Sequence, residues 1–233
     1  MANRFKTILC GAAMISIAMP PLAAKAPDTW DSLHRVKGKR MDEVYLLPGA
    51  DFRAYTKVMM DPTEVAFQKN WLRDYNSSTM TLSQRISDKD AQEILQNAKT
   101  GFESIFAKAY TGAGYQMVTE PGPDVLRLRT AVINLSVSAP DMMTAGRSRT
   151  YSREAGEATV VIEVRDSVTG AILGRAIDRQ DIGDNSFMLR RTSVSNRADF
   201  EQAFGSWAKA SANGLTELKA LSPIDAEAQP LKK

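Results

Sequence analysis

The sequence predicts an α+β domain: a single mixed or mostly antiparallel sheet of about five to six strands, with two long helices packed on it. Three observations carry this. Strand-forming runs recur through residues 43–47, 54–67, 115–137 and 156–182, separated by Pro- and Gly-containing turns. Two stretches, 87–114 and 195–221, repeat apolar residues at helical spacing. The only cysteine, Cys10, lies in the leader, so the rest of the chain must hold itself together by a core and not by disulfides.

In order, "DEVYLLPGADF" gives a strand over Glu43–Leu47, stopped by Pro48–Gly49. "AYTKVMMDPTEVAF" is strand-like but broken by Asp61–Pro62, which places it at an edge or a bend. In "SDKDAQEILQNAKTGFESIFAKAYTGAG", Ser87 caps a helix whose first turn holds Asp88 and Asp90, and Gly112 or Gly114 ends it. Ala91, Ile94, Leu95, Ala98, Phe102, Ile105, Phe106 and Ala109 share one face, with Gly101 as a blemish. "YQMVTEPGPDVLRLRTAVINLSVSA" supplies two strands around the turn Glu120–Asp124. The second alternates at Leu126–Arg129 and turns apolar on both sides from Ala131 to Val137, as when a helix covers only part of a sheet. Phe200, Ala203, Phe204, Trp207, Leu215 and Leu218 mark the buried face of the last helix.

"GEATVVIEVRDSVTGAILGRAIDRQ" (156–180) reads as a β-hairpin. Asp166 can accept hydrogen bonds from amides two or three residues on, and Gly170 supplies the positive φ that ends the loop. Arg165 and Asp178 fall on polar positions read as the outward face, where cross-strand charge pairs contribute only about 0.2–1 kcal/mol.

The opening "MANRFKTILCGAAMISIAMPPLAAKAPDTW" has a charged start, an apolar middle and a small-residue end, the order of a signal peptide. The expected division is a signal peptide at 1–24, a flexible basic segment at 25–41 that is free of sheet, an α+β domain at 42–221 and a disordered tail at 222–233. Cleavage at Ala24 leaves about 210 residues, enough for one sizeable domain and without a transmembrane segment. Leu9 before Cys10, with most of the apolar run after it, does not suit lipoprotein acylation, so lipid anchoring in the outer membrane is not expected. The formal net charge of +3 falls to about +1 without Arg4 and Lys6, which leaves no nucleic-acid footprint.

"LLPGADFRAYTKVMMDPTEVAF" (46–67), "AGYQMVTEPGPDVLRLRTAVINL" (113–135) and "GEATVVIEVRDSVTGAILGRAIDR" (156–179) resemble a family of uncharacterised bacterial envelope proteins. Many members are described as lipoproteins, and the shared region is named only as a domain of unknown function. The resemblance covers most of residues 42 to 220 and rests on the "PGPDVLRLR" turn-strand and the "VRDSVTG" hairpin in that order. It implies a Gram-negative envelope location and an α+β domain, and no reaction. This chain departs from the lipoprotein pattern in its cysteine.

Residue types for catalysis are sparse. His34 is the only histidine and falls in the basic N-terminal segment, so any His-based scheme would have to use it. No paired-histidine or cysteine motif points to a metal, and Met59–Met60 and Met142–Met143 read as packing and contact residues. No catalytic residue, cofactor or metal ligand is assigned. Two basic patches stand out: Arg35, Lys37, Lys39 and Arg40, and Arg147, Arg149 and Arg153. The second lies in a polar stretch, 138–157, longer than most loops. There Met142, Met143, Arg147, Arg149, Tyr151 and Arg153 form the candidate contact for an envelope protein or an anionic envelope surface. The expected function is a non-catalytic periplasmic binding or assembly accessory domain. The alternatives are a carboxylate-based periplasmic hydrolase, which needs converging carboxylates, and a carrier of a small apolar or lipid-like ligand, which needs a cavity of about 300 Å³ or more.

Overall fold

A computed structural model describes residues 26–79, 82, 85–138, 150–152, 154–183, 189–191 and 193–225. In chain order come β1 (Thr29–Trp30), β2 (Leu33–Val36), β3 (Glu43–Leu46), β4 (Lys57–Met60), β5 (Glu64–Phe67), α1 (Trp71–Ser78) and α2 (Asp88–Gly112). They are followed by β6 (Gln116–Val118), β7 (Val125–Val137), β8 (Thr150–Ser152), β9 (Gly156–Asp166), β10 (Ile172–Ile182), β11 (Leu189–Arg191) and α3 (Ser193–Leu221). The class is α+β, but the main sheet has 9 strands where five to six were expected, and α1 joins the two long helices. The added strands β1 and β2, of 2 and 4 residues, are too short to show a period.

The sheet runs β1-β2-β3-β10-β9-β7-β4-β6, with β5 also on β7. The central strands β3, β10, β9 and β7 are antiparallel neighbours. β4 and β5 run parallel to β7, one along Val125–Leu128 and the other along Ala131–Leu135. The Asp61–Pro62 break divides them, as the proline requires. β6 and β7 flank the Pro-Gly-Pro turn but do not pair: β4 lies between them.

The hairpin forms as its turn chemistry dictates. Asp166 Oδ1 accepts from the amides of Val168 at 3.1 Å and Thr169 at 2.7 Å, and Gly170 has φ 74°. α2 starts with a capping box: Ser87 Oγ accepts from the Asp90 amide, and Asp90 accepts from the Ser87 amide at 2.9 Å.

α2 and α3 cover one face of the sheet. Phe102 and Phe106 are fully buried and stack at 4.1 Å, and Phe102 meets Phe204 edge-on at 5.3 Å. Val58, Leu126, Leu128, Val132, Val160 and Ile162 supply the sheet side of this core.

Three expectations need correction. Residues 25–41 are not free of sheet: they contribute β1 and β2, and His34 sits in β2 opposite Leu46. The turn between β1 and β2 uses Asp31 and Ser32 at φ 51° and 65°, without a glycine. Trp30 anchors it by meeting Tyr45 edge-on at 5.8 Å. Residues 222–225 are not disordered, because Ile224 is buried and exchanges backbone hydrogen bonds of 2.8 Å with Gly49 and Ala50. Asp178 does not face outward. It lies opposite Val160 on the helix-covered face, 6% exposed, and accepts from Trp207 Nε1 at 2.7 Å.

Candidate functional site

Strand alternation puts Gly174 and Ala176 of β10, Ile162 and Val164 of β9, and Val44 and Leu46 of β3 on the face that α3 covers. Opposite them, Ala210, Gly214, Leu218 and Leu221 recur down one stripe of α3 at helical spacing. Small residues on both sides leave the layers short of contact. The result is a mostly apolar cavity of about 240 Å³, lined by all ten of these residues together with Phe52, Tyr110, Leu215 and Ile224. A Cβ added at Gly214 would meet nothing within 4 Å. At the rim the lining turns polar: Lys37, Lys39 and Arg40 come from the β2–β3 connection, Glu217 from α3 and Asp225 from the chain beyond it. The Tyr110 and Ser211 hydroxyls bond each other at 2.7 Å, and burial raises the Tyr110 hydroxyl pKa well above the usual range.

The opposite face of the sheet carries a row of charge. Register sets Arg129, Glu163, Arg175, Tyr45 and Arg35 side by side across β7, β9, β10, β3 and β2. Glu163 accepts from Arg165 at 2.5 Å and from Arg175 at 2.6 Å, while Arg127 and Arg129 pair with Asp61. Arg175 is 6% exposed, pairs also with Asp31 at 2.9 Å, and stacks on the Trp30 ring at 4.1 Å. Among the described residues its Nε and Nη1 have no hydrogen-bond acceptor. Burial alone would raise the Glu163 carboxyl pKa, but hydrogen bonds from Arg165 and Arg175 outweigh it and hold the pKa below the ordinary value. A hydrolytic acid needs the reverse, a carboxyl kept protonated near neutral pH. Tyr45 is pushed up to about 12 by burial and by its hydrogen bond to Glu43.

Most residues of the expected contact loop (Met142, Met143, Arg147, Arg149 and Arg153) lie outside the described residues. Tyr151 falls in β8, where its backbone is opposite Arg190 of β11. The N-terminal basic patch divides: Arg35 stands on the charged face, while Lys37, Lys39 and Arg40 reach the cavity rim. Met59 and Met60 are consecutive in β4 and point to opposite faces, so they do not converge. Among the described residues, no three of His, Cys, Asp and Glu gather as a metal site would require, and no helix is long and apolar enough to cross a membrane. The cavity itself was missed; its signal was the small residues of "WAKASANGL" in α3 and "LGRA" in β10.

Residues 24–211 match the model of DUF3313, a protein family of unknown function. No curated protein matches the chain. Among solved structures the chain is similar to PelC of Paraburkholderia phytofirmans, crystallised as a dodecamer, at 13% identity and TM-score 0.37, covering 76% of this chain and 96% of that one. A DUF330 protein from Xanthomonas campestris matches at 11% identity and TM-score 0.36, over 76% of this chain and 91% of that one. A DUF4136 family protein from Bacteroides thetaiotaomicron matches at 10% identity and TM-score 0.32, over 76% and 95%.

Proposed function

The chain belongs to the DUF3313 family of proteins of unknown function, and from that premise we propose that it is a non-catalytic binding domain of the Gram-negative cell envelope. It works in the periplasm after losing residues 1–24, and it holds a small apolar ligand between the sheet and α3. The observation that carries this reading is the cavity of about 240 Å³ with its apolar lining. An apolar concavity that opens to water beside a few polar groups is the usual make-up of a small-ligand site. At about 240 Å³ the cavity falls short of the about 300 Å³ expected of a carrier from the sequence, which confines the reading to a slender ligand. The charged row on the other face supports binding over hydrolysis, because Glu163 is held ionised and bridged by arginines.

The test is fluorescence of the uncharged apolar dye N-phenyl-1-naphthylamine with the purified protein. Saturable enhancement is expected with the wild-type chain, and its loss with Gly214→Leu, whose side chain would enter the cavity. Equal enhancement by both proteins would remove the cavity from the account.

A second reading, an assembly contact through residues 138–157, draws on the pairing of β8 with β11, which ties Thr150–Ser152 of that segment to Leu189–Arg191. Charge reversal at Arg147 and Arg149 should then weaken association with the partner, most visibly at low salt.

A further inference from the structure

We infer that the cavity's ligand is a single-chain anionic amphiphile, one alkyl chain carrying a carboxylate or phosphate head, with the chain under α3 and the head among Lys37, Lys39 and Arg40. The inference rests on the pocket reading above and goes further by fixing the ligand's chemistry.

Size sets the number of chains. A cavity of about 240 Å³ is too small for the two chains of a membrane phospholipid or for a large fused-ring body. A single flexible chain suits a space that lies between a sheet and one helix stripe. The lining sets the chain's polarity. Val44, Leu46, Ile162 and Val164 face Leu215 and Leu218 across it, and the Tyr110 and Ser211 hydroxyls bond each other. The interior therefore offers an apolar chain contact without asking it for hydrogen bonds.

The rim sets the head. Lys37, Lys39 and Arg40 are all exposed, which shows that the cavity meets water on their side. They occupy three of four consecutive positions, 37 to 40, so their charges lie on one short connection. Gly38, between two of them, packs against Val44: a Cβ there would lie 2.7 Å from Val44 Cγ2 and 2.8 Å from the Met41 carbonyl oxygen. That close approach seats the basic connection directly against the apolar wall. Glu217 and Asp225 also line the cavity, so cations outnumber anions at the rim by three to two. Arg175 is also among the lining residues, but its guanidinium is committed to Glu163 and Asp31 on the other face. The head is thus recognised by the three rim cations, at the end of a chain that the interior accepts.

The experiment is calorimetric titration of the purified full chain with decanoate, decanol, single-chain decanoyl lysophosphatidylglycerol and two-chain phosphatidylglycerol vesicles. A net excess of one exposed cation at the rim corresponds to roughly a two- to fivefold preference for decanoate over decanol, shrinking as salt rises. Lys37→Gln/Lys39→Gln/Arg40→Gln should erase the preference while still binding decanol. Gly214→Leu should abolish binding of both, with Ala210→Leu as a second cavity-filling variant should the first not fold. The carboxylate and phosphate arms distinguish a fatty acid from a lysophospholipid, and preference for either supports the inference. Equal affinity for decanoate and decanol, or an unchanged preference in the triple variant, overturns the anionic head and leaves the apolar pocket standing. Tighter binding of two-chain vesicles than of either single-chain anion overturns the single-chain assignment. Failure of all four probes, together with failure of the naphthylamine dye, overturns the pocket reading itself.

Discussion

Replacing Asp178 with alanine should cost about 2–5 kcal/mol of stability, a large share of a domain's total. Three donors converge on this carboxylate: Trp207 Nε1 at 2.7 Å, the Asp42 amide at 3.1 Å and Gln180 Nε2 at 2.9 Å. The Gln180 amide can turn to water, but the indole of Trp207, 1% exposed, cannot. A buried donor left without an acceptor costs about 1–3 kcal/mol, and the Asp42 amide adds a smaller share. For a chain of this size the loss corresponds to roughly 5–15 °C in Tm. Denaturant unfolding should show a lower midpoint with an unchanged slope, which separates lost stability from a changed unfolded state. Trp207→Phe removes the donor and keeps the ring, so Asp178→Ala with Trp207→Phe should be less destabilised than the sum of the two single changes. Asp178→Asn keeps an acceptor and should cost less than alanine. The reasoning fails if Asp178→Ala unfolds within about 0.5 kcal/mol of the parent, the behaviour of an outward-facing strand residue.

Phe106→Ala, which opens a hole in the stacked pair with Phe102, should cost about 3–5 kcal/mol, whereas His34→Ala should stay within about 0.5 kcal/mol; equal melting shifts would show the α2 face to be misassigned. Glu163 has a folded pKa below its ordinary 4.5, so its contribution is present above that value and is lost as pH falls through the lowered one. The stability gap between the parent and Glu163→Gln should therefore hold steady from pH 7 to pH 5 and narrow below about 4.5; a gap widening toward acid would contradict the ion-pair account. If residues 1–24 are a cleaved leader, intact mass of the periplasmic protein should correspond to a chain beginning at Lys25, without Cys10 and without lipid.

The parts of the fold that could be read from the sequence are those decided within a few residues. The Ser87–Asp90 box, the Asp166–Gly170 turn and the Phe102–Phe106 stripe each depend on neighbours three or four positions away. Parallel pairing does not. The Pro-Gly-Pro turn suggested adjacent strands, yet β4 enters between β6 and β7 from a segment before two helices. β1 and β2 were hidden for another reason: Asp31 and Ser32 adopt positive φ where a glycine would have announced the turn, and the hairpin is held by Trp30 against Tyr45 and Arg175. Asp178 shows where alternation misleads. The rule that polar strand residues face water assumes no partner across the layer, and Trp207, 29 positions on, supplies one.

The cavity was illegible for a deeper reason. A search of the sequence for chemistry looks for residues that carry it, whereas this site is made by volume that is missing. Glycine inside a helix costs about 0.5–1 kcal/mol relative to alanine, so Gly214 raises the question of what its bare backbone permits. Helical glycine alone does not answer it, because Gly101 and Gly205 also have free space around a notional Cβ and lie away from the cavity. What distinguishes Gly214 is its stripe: Ala210 precedes it and Leu218 and Leu221 follow on the same face of α3, across from Gly174 and Ala176 of β10. Small residues facing small residues across a helix–sheet layer leave the layer unfilled unless something else occupies it. The rim then gives the space a direction, because the lining turns basic at Lys37, Lys39 and Arg40. A helix glycine becomes a sign of binding when its opposite strand is also small and the opening between them is charged.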